Sequence, residues 1–410
     1  MPRHVLLTVG LALVAPLSAQ EVQDDDQKAN QDALVRIEAL EARVAELEGV
    51  QDAGAAEEAL GLGMEVHYGD VGATFQIFGD VGASYRNPEP TGESNTSFFL
   101  GSMDFFVNMR LGEQWRVLSE TVIEGKSNDQ ISTSQERLWG AWVPTDWFYA
   151  KFGTEHSAIS RWNQLYHHGR WLETTINRPL LASFEGEQGI LPLHRTGLTL
   201  GGTPHTEAGR FEYFGTLSNG RGELPNDKQR TEDVDEHKAI DLGLAFEPFG
   251  ESNWRFAVAV TKDTIPPDPA SIDPARARSM SEWIFTGQTE WRNGSFYALG
   301  EYARIDHEAR ATSQDFSSNV SYVQVEYRID DWTPYARFDY RNMKEGDPFY
   351  DPLGRDLDVW YGTLGLRWDV GTNFAVKLES SAGKEDFMAG SGSIDDRGIV
   401  FLGMQLSWWL

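Results

Sequence analysis

Hydrophobic and polar residues alternate with a period of two over most of the chain from residue 65 onward. In the segment 332–341, Arg337 and Asp339 fall on one face while Phe338 and Tyr340 fall on the other. This period is typical of β-strands with two unlike faces. Sixteen segments follow it, two of them (134–144 and 294–308) poorly: 73–86, 97–111, 115–126, 134–144, 147–155, 194–203, 209–219, 237–248, 253–263, 279–292, 294–308, 316–329, 332–344, 356–369, 372–385 and 396–409.

The connections between these segments alternate between short and long. Short turns are expected at 112–114, 144–146, 206–208, 248–252, 293, 330–331 and 371. Longer polar links are expected at 87–96, 127–133, 156–193, 220–236, 264–278, 309–315, 345–355 and 386–395. An even strand number with this alternation is the signature of a bacterial outer-membrane barrel. The sequence therefore predicts an all-β fold, a transmembrane antiparallel β-barrel of about 16 strands.

The charged residues of the strands are expected on the inner face of this barrel. An arginine on the lipid face at the membrane midplane costs about 2–4 kcal/mol, so the charged face must turn inward. The lumen-wall candidates are Arg116, Glu120, Glu326, Arg328, Arg337, Asp339, Arg341 and Arg367. Such rows guide ions or pair across strands and stiffen the wall, and because their signs are mixed they do not predict whether anions or cations are preferred.

The chain before residue 65 has a different character. Arg3 and His4 precede an apolar run and the small residues around Ala19, which predicts a signal peptide over 1–19. Apolar residues at heptad spacing, including Ile37 and Leu40, predict a periplasmic coiled-coil helix over 20–52, followed by a linker over 53–64. That helix either associates with another helix or surface, or is a solvated linker.

Composition narrows the function classes. The chain has 410 residues and a formal net charge of −28, which disfavours nucleic acid as a partner. It has no cysteine, so disulfides and thiolate sites are excluded. The mean hydropathy is −0.43, and no apolar run approaches the roughly 18 residues of a membrane helix. Alternating barrel strands keep this average low.

The stretch 155–193 is the long link that the pattern does not explain. It has no clean period, yet two tryptophans and many aliphatic residues argue against disorder. We expect it to be the third outer loop, folded inward to narrow the pore. The constriction candidates are Arg161, His167, His168, Arg170, Glu173, Arg178, Glu185 and Glu187. These charges either create a transverse field across the pore or pin the loop to the wall.

The paired histidines of this loop raise the question of a metal site. Adjacent residues of an extended chain point to opposite sides, so we do not expect His167 and His168 to share one ion. A structural or pH-gating role is favoured, and no metal or cofactor is predicted.

The chain resembles Gram-negative outer-membrane porins of the sixteen-stranded, trimeric type. More narrowly, it resembles the phosphate-selective and dicarboxylate-type porins, some of which carry an N-terminal coiled coil. The likeness is carried by Tyr149 to Gly153, Tyr213 to Gly220, Leu244 to Gly250 and the C-terminal Gly403-x-x-Leu406-x-Trp408-x-Leu410. It implies a homotrimer in the outer membrane of a Gram-negative bacterium, in contact with lipid and lipopolysaccharide. It also implies recognition by the outer-membrane assembly machinery. The chain departs from phosphate-selective members because it has no lysine cluster.

The resulting functional hypothesis is a porin rather than an enzyme. Sixteen strands enclose an aqueous channel, which allows passive diffusion of small hydrophilic or charged solutes. One alternative is a structural envelope protein that tethers or spaces the outer membrane through its coiled coil. The other is an outer-membrane hydrolase, for which no Gly-x-Ser-x-Gly motif is present.

Overall fold

The computed structural model describes residues 63–87, 94–125, 130–184, 189–227, 232–248, 253–350, 358–388 and 394–410. The predicted signal peptide (1–19), the coiled-coil helix (20–52) and most of the linker (53–64) lie outside these residues. The strands are β1 Met64–Tyr68, β2 Val71–Asn87, β3 Asn95–Leu111, β4 Trp115–Gly125, β5 Ile131–Thr145, β6 Phe148–His156, β7 His194–Gly202, β8 His205–Thr206, β9 Gly209–Asn219, β10 Lys238–Pro248, β11 Trp254–Ile265, β12 Met280–Asn293, β13 Phe296–Ala309, β14 Gln314–Tyr327, β15 Trp332–Asn342, β16 Asp358–Val370, β17 Phe374–Met388 and β18 Ile394–Trp409. The α-helix α1 spans Arg161–Tyr166, and short 3-10 turns span Leu180–Ala182 and Pro274–Ala277.

Sixteen antiparallel strands, β2–β7 and β9–β18, close into one barrel. Closure comes from the pairing of β18 with β2 and of β9 with β10. The short strand β8 pairs with β9 next to the end of β7. Every one of the sixteen predicted strands is present, so the predicted barrel is confirmed. The predicted link 309–315 is shorter than expected, because β13 ends at Ala309 and β14 begins at Gln314.

The strand β1 was not predicted, and its position explains why. It pairs with the start of β2, where Met64 lies opposite Phe75. The last residue, Leu410, exchanges backbone hydrogen bonds with Ile77 on the same strand. The two ends of the barrel segment therefore cover consecutive stretches of β2. All five residues of β1 are exposed, so its burial has no period of two.

The two faces of the wall differ in the predicted sense. On β14, Val323 is 51% exposed and Tyr327 50%, while Gln324 and Glu326 between them are buried. On β15, Phe338 faces outward and its neighbours Arg337 and Asp339 are buried. Apolar side chains thus cover the outside of the barrel and polar ones the inside.

Aromatic side chains form two bands on the outer surface. On β16, Trp360 stacks with Phe338 at 6.5 Å, and Trp368 stacks with Trp332 at 5.1 Å between ring centroids. Eight residues along a strand span about 27 Å, which is about 21 Å across the membrane at the usual strand tilt of about 40°. This height is close to the apolar band of outer-membrane barrels, about 25 Å.

The largest apolar core lies inside the barrel, where the connection between β6 and β7 packs on the wall. It joins Trp162 and Leu191 of that connection to Ile305 and Tyr322 of β13 and β14 and to Tyr350. Among the residues described, no helix is both long and apolar enough to cross a membrane.

Candidate functional site in the barrel interior

The candidate site is the long loop, residues 157–193, together with the inner wall it touches. The loop leaves the wall at His156, the last residue of β6, and rejoins it at His194, the first residue of β7. These two residues pair across the strands. Just beyond them, the Ser157 amide donates to the Leu193 carbonyl at 2.8 Å. The loop therefore starts and ends at one point of the wall.

The helix α1 is held at its first turn by a wall carboxylate. The Ser160 hydroxyl accepts from the Asn163 amide at 3.3 Å and caps the helix. The amides of Arg161 and Trp162 donate to Glu301 on β13 at 2.7 and 2.8 Å. The first amides of a helix lack internal partners, so Glu301 satisfies them and places α1 against the wall.

Trp162 anchors the same part of the loop by apolar contact. Its side chain is fully buried. Its ring lies 4.9 Å from Tyr166 and 6.1 Å from Tyr322 of β14, between centroids. Burial of a side chain of this size is the main source of stability for such a segment.

Acidic side chains of the wall accept hydrogen bonds from backbone amides in the middle of the loop. The amide of Gly169 donates to Asp104 on β3 at 2.8 Å. The amide of Ile176 donates to Glu379 on β17 at 2.9 Å. The Leu180 amide does the same to Asp339 on β15 at 2.9 Å.

Basic side chains of the wall complete this arrangement by donating to backbone carbonyls of the loop. Arg367 on β16 donates to the Glu173 carbonyl at 2.8 Å, and Lys377 on β17 to the Thr175 carbonyl at 3.1 Å. Arg337 on β15 donates to the Asn177 carbonyl at 2.8 Å. Wall charges of both signs thus match the peptide groups of residues 169–180, which lie against β3 and β15–β17.

The lumen-wall candidates occupy several different environments. Arg337 pairs with Asp339 at 2.7 Å, and Arg367 with Asp369 at 2.8 Å. Glu326 accepts from the Thr174 hydroxyl at 2.7 Å. The remaining candidates are Glu120, ion-paired with Arg137; Arg341, buried; Arg116, bonded to the Trp115 carbonyl; and Arg328, past the end of β14 and bonded to the Asp330 carbonyl.

The loop candidates are mostly committed to local contacts as well. Arg161 pairs with Glu290 on β12 at 2.8 Å, and Arg170 pairs with Glu173 at 3.0 Å. The Arg178 guanidinium lies over the Phe184 ring, 3.8 Å from its centroid. Glu185 and Glu187 lie outside the described residues. These contacts support the interpretation that the loop charges hold the loop against the wall.

The two adjacent histidines lie differently from the expectation. They directly follow the helix α1 rather than an extended segment, and their ring centroids are 4.6 Å apart. Both therefore reach one buried cluster with His156 and His194. Burial lowers the pKa of His168 to about 3, although the nearby Glu136 carboxylate acts in the opposite direction. Burial and the neighbouring histidines also hold the pKa of His167 well below its ordinary value, so both imidazoles are neutral at pH 7.

The central wall residue Glu301 was missed because its strand hides the alternation. On β13 the inward residues next to it, Leu299, Ala303 and Ile305, are apolar since they cover the long loop. Outward positions of the same strand include the ion pair of Arg304 and Asp306. The contrast between the two faces of β13 is therefore lost. The sequence signal that could have identified the site was the inward carboxylate of Glu301 among apolar neighbours.

Comparisons with known proteins support the fold alone. No known family model matches the chain, and no curated protein sequence matches it. Among solved structures, the anion-selective porin of Comamonas acidovorans aligns with a TM-score of 0.58 at 10% identity, covering 83% of this chain and all of that one. The channel DcaP of Acinetobacter baumannii aligns with a TM-score of 0.56 at 10% identity, over 85% of this chain and all of that one. The outer membrane protein OmpT of Vibrio cholerae aligns with a TM-score of 0.57 at 10% identity, over 84% and 99%. The chain has the fold of Gram-negative outer-membrane porins, as predicted.

Proposed function

We propose that this protein is an outer-membrane porin through which small hydrophilic or charged solutes diffuse passively. In this proposal the long loop narrows the water-filled barrel. The observation that carries it is the set of hydrogen bonds between the loop backbone, residues 169–180, and inward side chains of β3 and β15–β17. A loop bound in this way lies inside the barrel rather than over its rim.

The side chains that remain partly exposed on the loop are suited to line such a constriction. They include Arg170, Thr174, Asn177 and Arg178, all half-buried. Their backbone is bound to the wall, so these side chains keep fixed positions. Polar groups at fixed positions in a narrow pore sort solutes by charge and dipole.

Planar-bilayer recordings test this proposal. The purified protein is expected to give discrete conductance steps. Removal of residues 171–178 is expected to raise the single-channel conductance, because it deletes a part of the loop that occupies the barrel interior. Removal of residues 269–272, which are mostly exposed and lie in another long connection, is the control and is expected to leave conductance unchanged. No conductance steps from folded protein, or equal effects of the two deletions, would contradict it.

The same proposal includes a homotrimer in the outer membrane, in contact with lipid and lipopolysaccharide and delivered by the outer-membrane assembly machinery. Its support is the fold together with the trimer form of Vibrio cholerae OmpT, which aligns with a TM-score of 0.53. Mass measurement of the unheated protein in mild detergent is expected to give three chains. A single chain under these conditions would argue against the trimer.

Two measurements separate the channel from the alternatives. Incubation with peptides and phospholipids is expected to leave both intact, whereas cleavage by the purified protein would favour the hydrolase. The tether hypothesis concerns the helix at 20–52, outside the described residues. Deletion of 20–60 with unchanged envelope integrity would count against it.

A further inference from the structure

Four of the nine histidines of the chain meet at the base of the long loop. His156 and His194 stand at the two points where the loop joins the wall, and His167 reaches back to them from the end of α1. Its ring centroid lies 4.0 Å from that of His156 and 4.5 Å from that of His194. One ring nitrogen from each of the three lies within 4.8 Å of the other two.

The tautomer of His167 is fixed by Asn163, one turn earlier in α1. The side-chain nitrogen Nδ2 of Asn163 donates to the backbone carbonyls of Ser157 at 3.0 Å and Leu193 at 2.8 Å. Its oxygen must then be the atom that faces His167 Nδ1, so Nδ1 carries the proton and Nε2 carries the lone pair. Histidines that bind metals are oriented in this way, by donating the other ring nitrogen to an oxygen.

Two of the three histidines present nitrogens without a hydrogen bond to any described residue. These are Nε2 of His167, whose side chain is 1% exposed, and both ring nitrogens of His156, which is 5% exposed. The contact from His156 Nε2 to Glu120 is 3.6 Å, too long for a hydrogen bond. Buried polar atoms are normally paired, and an ion between the rings accounts for Nε2 of His167 and for one of the two nitrogens of His156.

Charges of both signs surround the cluster. Glu136 lies 3.0 Å from His194 Nε2 and 3.5 Å from His168 Nε2, and Glu120 is paired with Arg137. Arg137 and Arg178 disfavour positive charge at His156 and His167, respectively, so the two acidic groups offset two cations. Because Glu136 and Glu120 already have partners, they are better placed as supporting groups than as direct ligands.

We propose that His156, His167 and His194 bind a divalent first-row transition ion such as Zn²⁺, with a fourth position open to water. Three nitrogen ligands at about 2.0–2.1 Å are usual for zinc with an open site. They lie about 3.3 Å from one another around a tetrahedral ion, whereas the three nitrogens here lie within 4.8 Å of one another, so binding would draw the imidazoles together. The ion joins the end of α1 to the two points where the loop meets the wall and so holds the loop against β6 and β7. The proposed metal site does not depend on the proposed porin function, because it follows from the geometry of the loop alone.

Metal binding to the full chain, refolded in detergent and freed of metal by a chelator, tests the proposal. Titration with Zn²⁺ is expected to show one ion per chain, and Co²⁺ is expected to give the intense visible bands of a four-coordinate nitrogen site. The double variant His156→Asn, His167→Asn is expected to bind at least about 100-fold more weakly, since loss of outer-shell groups alone costs 10–100-fold. The variant His67→Asn, His237→Asn removes two exposed histidines outside the cluster and is the matched control.

The outcomes separate a lost site from a lost fold. The heat-dependent mobility of the folded barrel on a gel shows whether each variant is folded, and His167→Cys is expected to retain binding because thiolate is also a zinc ligand. Should the double variant not fold, the Co²⁺ spectrum of the wild-type protein decides alone. A six-coordinate spectrum, no binding, or loss of binding in the His67 and His237 variant would overturn the proposal.

Discussion

The two ends of the long loop and its middle are held inside the barrel by different kinds of contact. Its two ends, residues 159–166 and the described residues 181–184 and 189–193, bury Trp162, Leu181 and Leu191 in an apolar core shared with the wall. Its middle, residues 169–180, buries Leu172 in a small apolar cluster with Phe78 and Phe106 and is otherwise held through its peptide groups, by Asp104, Glu379 and other charged wall side chains. The ends are bound mainly by burial of side chains, and the middle mainly by backbone hydrogen bonds to charged side chains.

The two kinds of contact contribute differently, since one mainly stabilises the loop and the other mainly fixes its position. Apolar burial contributes about 25 cal/mol for each Å² removed from water and is not directional. A hydrogen bond to a charged group contributes about 1.5–3 kcal/mol and requires defined geometry. The apolar ends thus supply most of the binding energy of the loop, while the ionic contacts fix where its middle lies.

The largest expected effect comes from removing the apolar anchor. Trp162→Ala is expected to destabilise the folded protein by about 3–5 kcal/mol, because it leaves a cavity in a packed core. The midpoint of urea unfolding in detergent measures this loss. The matched control is Trp171→Ala in the middle stretch, where the indole is half-buried and lies 5.9 Å from Trp409. Equal losses for the two variants would contradict the assignment of stability to the ends.

Removal of the wall carboxylate at the middle stretch is expected to move the loop more than it unfolds the barrel. Glu379 accepts from the amides of Ile176 and Asn177, from the Asn177 side chain, and from Tyr335. Glu379→Ala leaves these donors unpaired, at a cost of about 1–3 kcal/mol. Faster hydrogen exchange at the amides of Ile176 and Asn177 measures it.

The control for this change is Glu308→Ala, at an exposed carboxylate on β13. It is expected to leave exchange in the loop unchanged. Unchanged exchange in the Glu379 variant as well would show that the middle stretch does not depend on the wall charges.

A single hydroxyl offers a smaller test of the same stretch. Thr174→Val keeps the shape of the side chain and removes its hydrogen bond to Glu326. The expected loss is about 1 kcal/mol, read from the urea midpoint beside that of Thr372→Val in the exposed turn between β16 and β17. A loss as large as that of the Glu379 variant would mean that side-chain contacts, not backbone contacts, hold the middle stretch.

The sequence was sufficient for the wall and insufficient for the loop contacts, for a physical reason. Strand existence follows from local alternation, and the outward Val323 beside the inward Gln324 displays it directly. The partners of the loop are remote in sequence: Ile176 and Glu379 are 203 positions apart. No local pattern encodes such a contact. The meeting of His167 and His168 in one cluster was not predicted, because an extended chain was assumed where the structure has a helical turn.

The smallest expected effect concerns selectivity, and it tests whether the middle stretch serves the pore. Arg178 is half-buried, its guanidinium lies over Phe184, and its backbone carbonyl accepts from Arg337 at 3.2 Å. Because the backbone position does not depend on its side chain, Arg178→Gln is expected to leave the loop in place and remove one positive charge. The ratio of anion to cation permeability is expected to fall about twofold in 0.1 M salt, where charges act over about 10 Å, and to change little at 1 M, where they act over about 3 Å. Reversal potentials in a salt gradient measure this ratio, with Arg310→Gln in the exposed turn between β13 and β14 as the control. An unchanged ratio in 0.1 M salt would place the permeation path away from Arg178.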